Sequence, residues 1–385
     1  MRRLALRLLV VLATIALTLA LAEGGLRLYF RHQGDEGDVR SILARSARTS
    51  VADNAEHGGK FSLSGLVKAS AFPDVIYELK PNVSGTFRGK SLRTNAQGLR
   101  GSRDYSTLKP AGTFRIAGIG DSVMFGWGVG EGEPYLEIVE RELAARGRPA
   151  DVLSFAVPGY NTSLEVAAFE HRALPFSPDL VILHFIGNDF GLPHFLRRRD
   201  APLARGAAPS RWLLWELLKA RFTPPSPDDE VDPDLIGHDT TGGAPGERYE
   251  ARKQYEGIVG EAAFVKALAH LRELTAPRGI PVIVMALGGD DGRGKLARET
   301  AEKNGFTFLN AAGHFYDYLV AHDLQHDRKN WVTVFRIPHD GHPNALGHRL
   351  YAEVLLEELA RRGVVSSASS PPVSSGSAPP KGNTP

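Results

Sequence analysis

Four short segments hold residues whose types and spacing could perform acyl chemistry. Gly120-Asp121-Ser122 directly follows an apolar run, Phe114 to Ile119. A serine where a strand turns into a helix lies at the carboxyl edge of a sheet. Its hydroxyl is exposed and its backbone N–H points the same way, a geometry that serves a nucleophile. As plain structure the same serine would be a helix N-cap. The second segment, His339-Asp340-Gly341-His342-Pro343-Asn344-Ala345-Leu346-Gly347-His348, precedes the last helical pattern. Asp340, two residues before His342, can hold that imidazole in the tautomer that accepts a serine proton. It can also stabilise the imidazolium that follows.

The other two segments could hold a negative oxygen. Pro158-Gly159-Tyr160-Asn161-Thr162 follows an apolar run that ends at Val157. Gly159 can bring its N–H close to a ligand with no side chain in the way, although a turn glycine explains it equally. Gly187-Asn188-Asp189 follows the run Leu180 to Ile186, and the Asn188 amide could donate to an oxyanion or simply make a turn. His339, Asp340, His342 and His348 could also be read as metal ligands. That reading is set aside, because the cluster has no partner set elsewhere in the chain and His348 falls inside the start of a helix. No metal and no cofactor are expected.

These segments need a scaffold, and the chain supplies one. Five apolar runs read as core strands: 114–119, 152–157, 180–186, 281–287 and 306–309. Apolar runs without alternation suit strands buried on both faces. Helical patterns lie between them. Leu136, Val139 and Leu143 share a face ended by Gly147, in a helix expected to begin at Glu133 or Pro134. Phe264, Ala267, Leu268, Leu271 and Leu274 repeat at helical spacing before Gly279. Leu350, Val354 and Leu355 lead to Arg361-Arg362-Gly363. Strand alternating with helix predicts a parallel α/β sheet covered on both faces, with its chemistry at the carboxyl ends of the strands.

In family order, the serine, glycine, asparagine and histidine resemble the SGNH (GDSL-like) hydrolase family over about residues 113–363. The resemblance implies a flavodoxin-like three-layer α/β/α sandwich of about five parallel strands. It implies a serine esterase with Ser122 as nucleophile, His342 as general base and then acid, and an oxyanion hole of the Ser122 N–H, the Gly159 N–H and Asn188. The common family pattern places the acid three residues before the histidine, where this chain has His339. Asp340 resembles the form found in other branches, with a dyad assisted by a backbone carbonyl as the alternative. Thr94-Asn95-Ala96-Gln97-Gly98-Leu99-Arg100 looks like a segment that precedes the Gly-Asp-Ser block in membrane-anchored members, and reads as structural packing.

The rest of the chain divides into a membrane segment (1–29), a spacer and lead-in region (30–112), the hydrolase domain (113–363) and a Ser/Pro-rich disordered tail (364–385). The spacer carries a helical pattern from Val39 to Ala47. The lead-in is hairpin-like, with turns at Pro81-Asn82, Gly85 and Gly89. Residues 192–261 interrupt the strand–helix rhythm with an amphipathic Arg211–Lys219 helix and a Pro/Gly-rich loop, either a lid or plain helix packing. Arg2, Arg3 and Arg7 flank the apolar run Leu8 to Ala22, which no polar face breaks. That favours an uncleaved signal anchor over a peptide cleaved after Ala22, with the domain outside the cytoplasm.

Composition bounds the remaining choices. With 42% apolar and 23% charged residues the 385-residue chain is globular, and a net charge of +2 gives no field for nucleic acid. It has no cysteine, so disulfides, thiolate catalysis and Cys-ligated zinc are excluded. The expected substrate is a small-molecule, lipid or glycan O-acyl ester. Water or a sugar hydroxyl could accept the acyl group, so an O-acyltransferase of cell-surface polysaccharide is the alternative. A non-catalytic glycan-binding module of the same fold is the third reading.

Overall fold

The computed structural model describes residues 7, 10, 11, 13–25, 60, 61, 63–196, 253–290, 292–338 and 340–365. The Val39–Ala47 pattern, the Arg211–Lys219 segment, His339 and the Ser/Pro-rich tail from Ser366 onward lie outside these residues; Val364 and Val365, expected to begin that tail, instead pack against the core, where Val365 is buried. The lead-in comes first. Strands β1 (Lys60–Phe61), β4 (Ser84–Phe87) and β5 (Lys90–Arg93) form one small sheet, and β2 (Val67–Ala69) pairs with β3 (Tyr77–Leu79) in another. The β4–β5 hairpin turns on Arg88 and Gly89, both at positive φ (52° and 71°), which matches the twist of the paired strands. Asn82 also turns at positive φ. Gly85 does not turn: it sits within β4 opposite Leu92.

The main sheet contains β6 (Phe114–Ile119), β7 (Ala150–Ser154), β8 (Leu180–Phe185), β9 (Val282–Ala286) and β10 (Thr307–Asn310), all parallel, in the order β10-β9-β8-β6-β7. The chain leaves β6 towards one edge and returns to the other side of it with β8. The topological switch point, where doubly wound sheets bind ligands, therefore lies at the carboxyl ends of β6 and β8. Every residue of β8 and β9 is buried. Ile116, Ile182 and Ile283 face one layer of helices, while Ala117, Val181, Leu183 and Val284 face the other.

The sheet connects through α1 (Ser122–Phe125), α2 (Tyr135–Ala145), α3 (Thr162–Ala168), α4 (Gly260–Thr275), α5 (Gly292–Lys303), α6 (Ala312–Ala321) and α7 (Ala345–Arg361). Helix α2 packs on α7 over one face, and α3 on α4 over the other. The apolar stripe of α2 (Leu136, Val139, Leu143) and that of α7 (Leu350, Val354, Leu355) are buried in the same core cluster as the lead-in residues Tyr77, Phe87 and Leu92. Each such side chain contributes roughly 1.5–3 kcal/mol on burial.

Several boundaries differ from the sequence reading, the second core strand ending at Ser154 and not Val157, and one helix was not foreseen. The second core strand begins at Ala150, because Asp151 enters the sheet paired with the buried Arg115 guanidinium at 2.7 Å. Helix α2 begins at Tyr135, with Pro134 as its N-cap, after the separate turn α1. Helix α5 was not legible: it buries only Ala297, Thr300 and Ala301, so no large apolar stripe marks it. Residues 13–25 are helical. Among the described residues no helix is long and apolar enough to cross a membrane, and Leu8, Leu9 and Leu12 of the expected span are outside them.

Candidate active site

The Ser122 loop begins at a position with no room for a side chain. A Cβ on Gly120 would lie 2.8 Å from Met124 Cβ, so the strand leaves the sheet through a residue without one. The Asp121 carboxylate then accepts from the Val123 N–H at 3.0 Å and caps α1. Because Asp121 is the cap, Ser122 is not, and its hydroxyl is left for other partners. Ser122 Oγ lies 2.8 Å from His342 Nε2 and 3.0 Å from Asp121 Oδ2. Its single proton can go to either.

His342 is presented by a tight loop ahead of α7. Arg336 bridges Pro343, Ile337 N–H donates to the His342 carbonyl at 2.9 Å, and Asn344 caps α7 while its amide donates to Val334 O. His342 Nδ1 is 2.5 Å from Asp340 Oδ1, and the same oxygen accepts the His342 backbone N–H at 3.0 Å. Burial pulls the Asp340 carboxyl upward, but hydrogen bonds from His342 and Trp127 and the adjacent imidazole charge hold it well below the usual carboxylate range. The serine, imidazole and carboxylate thus stand in line, at separations over which a proton can move.

Asn188 follows β8, in a turn fixed by Asp189 accepting the Ile186 N–H at 3.0 Å. Asn188 Nδ2 donates to Asp121 Oδ2 at 3.2 Å, which places it beside Ser122 on a shared acceptor. Gly159 follows β7 at φ +79°, and a Cβ there would lie 2.2 Å from His194 Cβ. The loop is braced from the lead-in: Tyr77 OH donates to Pro158 O at 3.3 Å, and Tyr160 OH donates to Tyr77 O. Among the described residues, neither the Ser122 N–H nor the Gly159 N–H donates to a protein group. Two unengaged N–H groups and an amide at the sheet's carboxyl edge can receive a developing oxyanion.

Several groups around this arrangement escaped the sequence reading. Asp121 is fully buried, and burial raises its carboxyl above the usual range. Beneath it lie Glu165 and Asp189, both pushed well up by burial and by carboxylate repulsion, so they favour the neutral form. Trp127 joins the site between two glycines, and Arg100 stands behind it. The adjacency of Asp121 to Ser122 and the Gly126-Trp127-Gly128 pattern were the signals available. His348 stays in the core, its ring 6.0 Å from Tyr135 and its pKa lowered to about 3 by burial. Among the described residues no group of three or more His, Asp or Glu side chains could hold a metal ion. A cavity of about 340 Å³ lies alongside, lined in part by Val123, Gly187 and Gly341, the chain neighbours of Ser122, Asn188 and His342.

No curated protein matches the chain. Solved structures similar to it include the following three. TesA has 12% identity and a TM-score of 0.39, covering 64% of this chain and 98% of that one. The lipase/acylhydrolase from Enterococcus faecalis has 14% identity and a TM-score of 0.37, covering 65% and 96%. The acetyl xylan esterase AlAXEase has 14% identity and a TM-score of 0.38, covering 64% and 100%. The profile of the GDSL-like Lipase/Acylhydrolase family matches residues 119–350, from the last residue of β6 into α7, and so spans Ser122, Gly159, Asn188 and His342. With more than half of its length matched, the chain belongs to the GDSL-like lipase/acylhydrolase family and is a hydrolase acting on ester bonds.

Proposed function

We propose that the protein is a serine esterase that cleaves O-acyl esters through an acyl-enzyme on Ser122. The observation that carries this is the continuous line from Ser122 Oγ to His342 Nε2 at 2.8 Å and from His342 Nδ1 to Asp340 at 2.5 Å. Ser122 Oγ attacks the ester carbonyl as its proton passes to His342 Nε2. Asp340 keeps Nδ1 protonated and steadies the imidazolium. The negative carbonyl oxygen is received by the Ser122 and Gly159 N–H groups and Asn188 Nδ2. Collapse of the tetrahedral intermediate expels the alkoxide, which takes the proton from His342. Water, deprotonated by the same imidazole, then attacks the acyl group and restores the serine.

The cavity beside the site has apolar walls, including Phe315, Phe335 and Tyr351, which suit the hydrocarbon part of an ester. The proposed location is outside the cytoplasm, with the chain held at the membrane by its N-terminal segment. Arg2, Arg3 and Arg7 before the Leu8–Ala22 run support this order. So does the exposure of Ile15, Leu17 and Leu21 on the 13–25 helix.

The test is Ser122→Ala, assayed with a short-acyl nitrophenyl ester and with a fluorophosphonate probe. Hydrolysis and labelling should both disappear. Retention of either at the wild-type level would reject the nucleophile.

A further inference from the structure

The Asp340–His342 pair is held from outside its own loop. Trp127 Nε1 donates to Asp340 Oδ2 at 3.0 Å, on the oxygen that His342 does not use. The Trp127 ring also stacks on the imidazole, with centroids 4.9 Å apart and planes at 21°. One side chain therefore fixes both the carboxylate and the plane of the base. Trp127 is in turn gripped edge-on by Phe87 of the lead-in, at 4.9 Å and 90°. It is only 6% exposed, so it offers little surface to a substrate.

The loop carrying Trp127 has almost no regular structure of its own. It runs from the end of α1 through Gly126 and Gly128, both at positive φ, to Pro134. Besides its own turns and the Glu133 and Glu137 carboxylates, which accept from the Gly130 and Gly132 N–H groups, it is tied by Arg100, the last residue of the Thr94–Arg100 segment. The Arg100 guanidinium is buried, and its two terminal nitrogens donate to four carbonyls of this loop: Phe125 (2.9 Å), Gly126 (2.5 Å), Val129 (2.5 Å) and Gly130 (3.3 Å). Glu137 lies 3.9 Å from its Nε, and its plane covers the Phe125 ring at 4.9 Å. Four acceptors arranged around a fork suit a guanidinium and not an ammonium. The loop also abuts the histidine loop at Gly128, where a Cβ would lie 2.5 Å from Ile337 Cδ1.

We propose that Trp127 is a positioning residue for the Asp340–His342 pair, and that Arg100 acts through it by fixing the 125–130 loop. The proposal rests on His342 being the base for Ser122. It gives the lead-in region, which lies outside the family match, a part in the chemistry: the lead-in orients the proton acceptor.

The experiment measures kcat and KM of the full-length protein for a nitrophenyl ester in wild type, Ser122→Ala, Trp127→Phe, Arg100→Lys and the double variant Arg100→Lys/Trp127→Phe. Far-UV circular dichroism and urea unfolding accompany each. Trp127→Phe removes the N–H together with the five-membered ring that carries it, and leaves a smaller aromatic ring beside the imidazole. It should lower kcat about 10- to 100-fold, the range for losing one hydrogen bond to a charged group, with KM nearly unchanged. Arg100→Lys should lower kcat in the same direction. The double variant should fall little below the worse single variant, because both act through one contact. Wild-type kcat in folded Trp127→Phe overturns the proposal while leaving Ser122 as nucleophile, provided Ser122→Ala is inactive. Multiplicative losses in the double variant, or an Arg100→Lys chain that does not fold, overturn the role assigned to Arg100. An active Ser122→Ala would instead overturn the esterase reading itself.

Discussion

Asn188→Ala separates transition-state binding from everything else the site does. Asn188 Nδ2 and Ser122 Oγ share Asp121 Oδ2 as acceptor, at 3.2 and 3.0 Å. The amide and the serine hydroxyl thus converge on one oxygen, and the amide is the side-chain donor that the proposed mechanism assigns to the oxyanion. Removing one such donor costs about 2.7–4 kcal/mol, or about 10²–10³ in kcat. KM should hardly change, because the contact matures only as the carbonyl oxygen gains charge. The cost in stability is smaller. Asp121 loses one donor but keeps the Val123 N–H, so about 1–3 kcal/mol is expected. Steady-state hydrolysis of a nitrophenyl ester gives the first quantity and urea unfolding the second. A folded Asn188→Ala with kcat within about threefold of wild type would remove this amide from the oxyanion site.

Two further outcomes are expected. Gly159→Ala puts a side chain at φ +79°, with its Cβ 2.2 Å from His194 Cβ. Left-handed strain alone costs about 1–2 kcal/mol, so urea unfolding should show at least that loss, together with a reduced kcat as the loop shifts. Equal stability and rate would mean the loop yields freely. Glu165→Gln tests the buried carboxyl beneath the site, which burial and then the Asp189 and Asp121 charges raise well above the ordinary 4.5. A carboxyl raised on folding stabilises fully below its unfolded value and loses that contribution as pH climbs towards the folded one. Wild type should thus lose up to about 1.4 kcal/mol per pH unit above the ordinary value, and the glutamine variant should escape that loss. Unfolding measured at about pH 5 and about pH 8 should show the variant gaining on wild type; parallel slopes would mean that Glu165 ionises freely in the fold.

Local pattern is readable where a segment's role depends on its own side chains. The strands 114–119 and 180–186 carried enough apolar residues in a row to announce burial on two faces. Asp340 and His342 are two residues apart, so their pairing could be read without coordinates. Asp151 misled, because a carboxylate inside a strand makes sense only once Arg115, on the neighbouring strand, is known to be its partner. Helix α5 misled for a related reason, since a helix that buries only small residues leaves no stripe. The Thr94–Arg100 segment was recognisable but mute. Arg100 binds four carbonyls more than twenty residues away, and no periodicity encodes a guanidinium's choice of main-chain acceptors.

By itself, the order of the residues pointed to the parallel α/β architecture, and its resemblance to a known family singled out the candidate set Ser122, Gly159, Asn188, Asp340 and His342. Hydrophobic period and turn chemistry are local properties, and they survive in a one-dimensional string. Only the folded chain decided that Asp121 caps the helix and leaves the serine free, that Ser122 and His342 come within 2.8 Å across 220 residues, and that Trp127 and Arg100 stand behind them. Those relations depend on the burial of distant charges and rings against one another, and burial is settled by the whole packing.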